Sequence, residues 1–373
     1  MAYSAYGLYL GWTKYQQATK LRTVQDMTQD FSDGLKNFMF ERGRMNVVLS
    51  KDQSISDENS VFLNERRTSA DEAFEAGFSA MEKAFPKETK DLRKEYEYIN
   101  ALRLKIDAEA EKPLYERDVN ARILWFKSCT DYINTVVAKI NIIRQLSQND
   151  SDISNYFDVV VDSLHFRNIV GNESSVITSA IAGSGTLRNE DDATLLFLRR
   201  EETQVWSEIE KSVAMLDSED LNAAFENVRD QYYLKFRPEQ ERIIELAHNN
   251  QLYEGADKEI ANLSVPALDS VLNLSDVAVK GIESENQKNI EKGFRSLLAG
   301  LCQLLISLLI VIFVPIYFRR KFVHPLNDII LTLKDISAGK VDNQTPHMQR
   351  ADEIGKLAHG ADMLKKASLR NKH

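Results

Sequence analysis

The sequence predicts an all-α chain: two tandem four-helix bundles, one transmembrane helix, and a short parallel four-helix coiled coil that needs two copies of the chain. Three observations predict it. Apolar residues recur at helical spacing from about residue 14 to 295, a region with only four prolines, Pro86, Pro113, Pro238 and Pro266. The order of residues in that region repeats once. Then residues 296–318, SLLAGLCQLLISLLIVIFVPIYF, run without a charge; as a helix they rise roughly 35 Å, enough to cross a hydrocarbon core of ~30 Å.

The first stretch, residues 1–13 (MAYSAYGLYLGWT), is uncharged but covers only about 20 Å as a helix. It reads as the outer end of a first transmembrane helix. A first amphipathic stripe follows with Val24, Met27, Phe31, Leu35, Phe38, Met45 and Leu49, and KDQSIS (51–56) breaks it. A second stripe carries Phe62, Ala70, Phe74, Gly77 and Met81 up to Phe85-Pro86. Helical stretches over roughly 88–111 and 114–147 close a first bundle, spanning 14–147. The polar run 148–152 reads as a linker.

The pattern then starts again over 153–295. Glu41–Leu49 lines up with Glu173–Ile181 at an offset of 132, and with one added residue Arg66-Arg67 meets Arg199-Arg200. Tyr115-Glu116 matches Tyr253-Glu254, and Asp131 matches Asp269. A period this long suits a duplicated bundle rather than a solenoid unit. The AGSGT turn (182–186) takes the place of KDQSIS. An even number of up-down helices returns each repeat to the end at which it entered. The last helix, from about 256, is expected to run on through the span with local bends at Pro266 and Pro315.

Arg319-Arg320-Lys321 after the span marks the cytoplasmic side. Residues 1–295 are therefore expected outside a bacterial inner membrane and the tail from 319 inside it. The chain's net charge of −9 is unevenly split, since the tail holds 11 Lys and Arg against 6 Asp and Glu. An acidic outer part argues against nucleic-acid binding. Of the two cysteines, Cys302 falls inside the span and Cys129 far upstream in the outer region, too far apart to pair, and no histidine sits in a metal or phosphotransfer context. No cofactor is expected, and the chain is not expected to be an enzyme by itself; no kinase, cyclase or other output signature follows the tail.

Within the bundles the candidate ligand residues are arginines. Arg42 falls in phase with the first stripe and Arg66 with the second, at similar distances from the turn between them, so antiparallel packing points both guanidiniums at one interior. Arg199 keeps the place of Arg66 in the second repeat, while the counterpart of Arg42 is Ser174. A buried arginine needs a partner: either acids such as Glu41 and Glu65, or a small anion held in bidentate forks. Glu41-Arg42-Gly43-Arg44 in an apolar helix, inside a duplicated all-helical region, resembles the nitrate- and nitrite-sensing (NIT) domains of bacterial receptors. That resemblance implies paired helical bundles and a small anionic ligand. A helical bimodular sensor of organic acids shares most of these features, and bundles that bind a partner protein are the alternative.

The tail carries a denser pattern. Leu326, Ile329, Leu333 and Ile336 form a heptad seam, and Gly339 ends it. A polar connector holds Val341 and Met348. Asp352-Glu353-Ile354-Gly355 then opens a second seam of Ile354, Leu357, Ala361 and Leu364. Helix, connector, DEIG and helix directly after a span resemble the HAMP signalling module of chemoreceptor-like proteins, with Pro325, Gly339, Glu353 and Gly355 at that family's marked positions. The resemblance implies a homodimer with two packings of similar energy, tilted by the preceding helix.

Overall fold

The computed structural model describes residues 2–144, 151–183, 186–340 and 342–370. Every regular element among them is helical. The chain divides into two compact units, residues 14–292 and a second unit of residues 1–13 with 293–373.

In the larger unit, helix α1 (Ala2–Ser50) is followed by α2 (Asp57–Glu82), α3 (Pro86–Ala110) and α4 (Ala121–Arg144). Ser56 caps α2 by accepting from the Asn59 amide, with Asp57 and Glu58 in the first turn, where negative charge suits the helix dipole. Pro86 opens α3 at a position that has no intrahelical N–H partner to lose. The fourth helix starts later than the expected residue 114. Leu114–Glu116 form one 3-10 turn and Asp118 then accepts from the Asn120 amide, so α4 begins only at Ala121. The buried Arg117 fixes this junction by donating to the carbonyls of Glu109, Lys112, Val48, Lys51 and Gln53 at 2.7–3.1 Å. These carbonyls belong to the ends of α1 and α3 and to the loops that follow them.

The second bundle repeats the plan with α5 (Ser151–Gly183), α6 (Asn189–Ala214), a third helix with a π-helical insert, and α9. That third helix runs without a gap through α7 (Glu219–Val228), the π-helical stretch Arg229–Phe236 and α8 (Arg237–His248). Of the expected linker, Ser151 and Asp152 already belong to α5, while 148–150 lie outside the described residues, as do positions 184 and 185 of the expected turn. One hydrophobic core runs through both bundles. The first is centred on Phe31, Phe38, Phe74, Phe78, Tyr96, Trp125 and Tyr132, whose rings mostly meet at tilted or edge-on angles, with Phe74 stacked on Phe78 and Tyr96 on Tyr132. In the second, Trp206 stacks on Phe225 at 4.7 Å. The bundles lie side by side along α1, α4, α5 and α9: Asn46 donates to the Ser175 carbonyl, Asn168 to Asn134, and Lys36 approaches Asp276.

Helix α9 (Ala256–Phe318) is continuous, without a break at Pro266 or Pro315. It contains a stretch long and apolar enough to cross a membrane, and almost none of that stretch is buried within the chain, unlike the core helix of a soluble domain. In the smaller unit, Gly11 is buried, and a Cβ there would lie 3.0 Å from the Leu297 amide nitrogen, so the N-terminal apolar stretch packs closely on α9. A π-helical stretch, Arg319–Val323, leads into α10 (His324–Ser337), and a connector into α11 (Glu353–Arg370).

Candidate functional site

Two buried ion clusters, one per bundle, show what the duplication preserves. In the first, the fully buried Glu41 accepts from Arg67 Nε at 2.6 Å and from Arg103 Nε and Nη2 at 2.9 and 2.6 Å. Arg67 also forks onto Asp107 at 2.7 Å, and Arg103 reaches Asp71. In the second, Glu173 accepts from Arg199 at 2.8 Å and Arg237 at 2.7 Å, and Arg237 continues to Tyr232 and Glu202. The tyrosines Tyr96 and Tyr232 join their clusters through their hydroxyls, and burial pushes both phenols up, out of reach of ionisation. Arg199 therefore corresponds to Arg67, at the same offset of 132 as the glutamates, and the added residue in the sequence alignment at Arg66 is not needed there. The carboxylate partner, not the helical phase of the apolar stripe, identifies the equivalent arginine.

The expected arginine set is thus distributed over three environments. Arg199 is a paired cation on Glu173 and Glu241. Arg66 is half-buried, donates to Asn37 at 3.0 Å and lies over the Phe40 and Phe62 rings, so it shares no hydrogen-bonding partner with Arg42. Arg44 covers Phe62 and donates to Asn59. Glu41, expected as an acid for Arg42, is fully engaged by Arg67 and Arg103.

Arg42 stands apart from all of these. It is 1% exposed, points away from Glu41 towards the seam between the bundles, and has only neutral partners. Nη1 donates to Thr130 Oγ1 at 2.9 Å and to Asn168 Oδ1 at 2.6 Å, and the guanidinium lies over the Phe126 ring. Nε is buried without a partner. Facing it from α5 is Arg167, 2% exposed, over the Phe40 ring, its Nε also buried and unsatisfied. Neither arginine has an ion pair among the described residues. Burial lowers the Arg42 guanidinium to about 10 and that of Arg167 to about 9, the latter also through repulsion from Arg42, with Asp269 acting in the opposite sense. Both remain cationic at neutral pH. Two like charges thus share a dry seam with hydrogen-bonding capacity to spare, an arrangement that costs several kcal/mol unless an anion completes it. Cys129, fully buried near Arg42, has its thiol pushed well up by burial, which disfavours the reactive thiolate.

Arg167 is the residue that sequence reasoning misses. It is no counterpart of Arg42 under the repeat offset, because the two meet across the bundle seam instead of occupying equivalent places. The available signal is local: a lone arginine between Phe166 and Val170 in the most apolar part of α5.

In the tail, Ile329 and Ile354 are buried together with Ala358 and Ala361, and Met348 of the connector packs against them. Leu326, Leu333, Leu357 and Leu364 are exposed, between 38% and 58%, and Ile336 is half-buried. Only part of each predicted seam is therefore covered within one chain. Gly339 (φ +80°) ends α10 with paired bonds from the Gly339 amide to Ile336 and the Lys340 amide to Asp335, the Schellman arrangement that favours glycine. Pro325, lacking an N–H, frees the carbonyl of Lys321, and Arg350 Nη2 donates to that carbonyl at 3.1 Å while gripping Asp352 at 2.6 Å. Asp352 in turn accepts from the Gly355 amide, and Glu353 occupies the first turn of α11. Val341 lies outside the described residues.

The larger unit is thus a pair of helical bundles with two buried arginines between its halves, neither in an ion pair among the described residues. Residues 40–251 match the nitrate and nitrite sensing (NIT) family, and the chain belongs to it. In fold, the chain is similar to the solved structure of the NasR transcription antiterminator, at a TM-score of 0.55 and 13% identity over 96% of this chain and 95% of that one. No curated protein matches the sequence.

Proposed function

We propose that the chain is the input part of a transmembrane receptor, binding nitrate or nitrite between Arg42 and Arg167. The carrying observation is the pair of buried guanidiniums with no carboxylate partner among the described residues and an unsatisfied Nε on each, whereas the buried Arg103 forks onto Glu41 and the buried Arg117 onto backbone carbonyls. A monoanion there accepts from the open edge of each fork and removes their mutual repulsion. Asn168 and Thr130 support this role. Thr130 donates its hydroxyl to the Phe126 carbonyl and Asn168 its amide to Asn134, so each offers an acceptor to Arg42 Nη1 and leaves its Nε and Nη2 edge to the ligand.

The relay follows from chain continuity. Helix α9 leaves the sensing bundles, crosses the membrane with its apolar stretch and hands any displacement to the tail, which acts as a HAMP-like dimeric module with its basic end in the cytoplasm. The exposed half of each seam supports pairing with a second copy. Output then comes from a kinase, cyclase or chemotaxis-type partner acting downstream.

Calorimetric titration of the full chain in lipid nanodiscs with sodium nitrate and sodium nitrite tests the site. Saturable binding is expected, lost in both Arg42→Gln and Arg167→Gln and retained in Arg66→Gln. Binding that survives both seam substitutions would remove the arginine pair from the ligand site.

A further inference from the structure

We infer that Gly171 sets the spacing between the Arg42 and Arg167 forks and thereby selects a small planar anion over a larger one, an inference that rests on the ligand site proposed above. Gly171 lies inside α5, one turn beyond Arg167, and is buried. It is not there for backbone reasons, since its conformation is helical and open to any residue. What its missing side chain provides is room. A Cβ at this position would lie 2.4 Å from Arg167 Nη1, 3.6 Å from its Cζ and 3.5 Å from Arg42 Nη2. Both guanidiniums therefore converge on the space that only glycine leaves empty, and the first of these distances is one that carbon and nitrogen do not tolerate.

The surroundings allow little slack. Arg42 is fixed from the other side by Thr130 and Asn168 through Nη1, so its Nε and Nη2 edge faces the gap at a set position. The Phe126 and Phe40 rings cover a face of Arg42 and Arg167 respectively, at 4.9 and 5.1 Å, which leaves in-plane N–H groups as the means of recognition. Arg167 has no hydrogen bond among the described residues to hold it in place, so its position depends on packing along α5 over Gly171. Any side chain at 171 displaces the Arg167 head from Arg42. The two forks then no longer close on an anion with short, coplanar N–O bonds, and the wider gap suits a bulkier monoanion of the same charge.

The test compares nitrate with perchlorate, a larger tetrahedral monoanion, as titrants of the full chain in nanodiscs. In Gly171→Ala, nitrate affinity is expected to fall at least tenfold while perchlorate affinity falls less or rises, so that the ratio of the two shifts tenfold or more. Equal changes for both anions, or no change, would overturn the role of Gly171. Arg42→Gln and Arg167→Gln in the same assay separate this from the underlying reading: if they leave nitrate binding intact, the ligand site itself fails whatever Gly171→Ala does. Should Gly171→Ala fold poorly, Gly171→Ala combined with Arg167→Lys decides the matter, because the shorter lysine head does not reach over residue 171. The double variant is expected to fold like Arg167→Lys and to keep its nitrate-to-perchlorate ratio; failure to fold, or a ratio shifted from that of Arg167→Lys, would show that Gly171 does not act through Arg167.

Discussion

At the scale of single residues, the two kinds of buried arginine call for opposite experiments. Glu41 holds Arg67 and Arg103 at full burial, so Glu41→Gln leaves two cations short of their counter-charge, and a loss of about 3–5 kcal/mol in denaturant unfolding of the purified chain is expected. Glu173→Gln should behave alike, through Arg199 and Arg237. The Arg42 and Arg167 pair has the reverse linkage. Their charged forms are disfavoured in the folded state, so the cost is fully present at neutral pH, and their contribution to stability rises with pH as each deprotonates, from about 9 upward, before its unfolded counterpart does. Ligand affinity moves the other way, since an anion needs the protons. Nitrate titrations are expected to give constant affinity from pH 6 to 8 and weaker binding above about pH 9. Arg42 was legible in the sequence because a charge in the phase of Phe38 and Met45 must be buried. Arg66 misleads because its long side chain leaves that phase to cover Phe40 and Phe62 at the bundle edge, a freedom that periodicity does not register.

At the scale of elements, most helices were legible because apolar spacing, Pro86, Ser56 and Gly339 each act within a few residues of themselves. The late start of α4 was not, because it depends on Arg117 gathering carbonyls from α1, α3 and the loop between α1 and α2. In the tail, the DEIG glycine has a steric reason: a Cβ at Gly355 would lie 1.9 Å from the Arg350 carbonyl oxygen. Gly355→Ala is therefore expected to separate the connector from α11 and to expose the 342–352 segment to limited proteolysis in membranes. Arg350→Ala removes the donor to the Lys321 carbonyl without a clash, so it should loosen the same joint more mildly, with cleavage intermediate between wild type and Gly355→Ala.

At the scale of the whole molecule, the all-helical class and the one long apolar helix were readable from helical spacing and the uncharged run 296–318. The pairing across the bundle seam was not, since it joins residues 125 apart that no repeat relates. Pairing of two tails makes a geometric prediction. Single cysteines at Leu326 and Leu364, in a chain with Cys302→Ser, should crosslink readily in membranes, whereas one at Ile329, buried against Ile354 and Ala358 of its own chain, should not. Efficient crosslinking at Ile329 alone would mean that the two helices of the tail do not pack within one protomer.

The seam arginines also bear on handling. If the proposed site holds, two buried cations without an ion pair are expected to recruit whatever small anion the buffer supplies, at an energy that grows with the logarithm of its concentration. Chloride, acetate or phosphate used in purification is then expected to compete with nitrate for the proposed site. Melting temperatures of this protein should accordingly follow the identity of the counter-ion as well as the ionic strength, and dialysis into a bulky, weakly coordinating anion is the condition expected to leave the arginine pair without a bound anion.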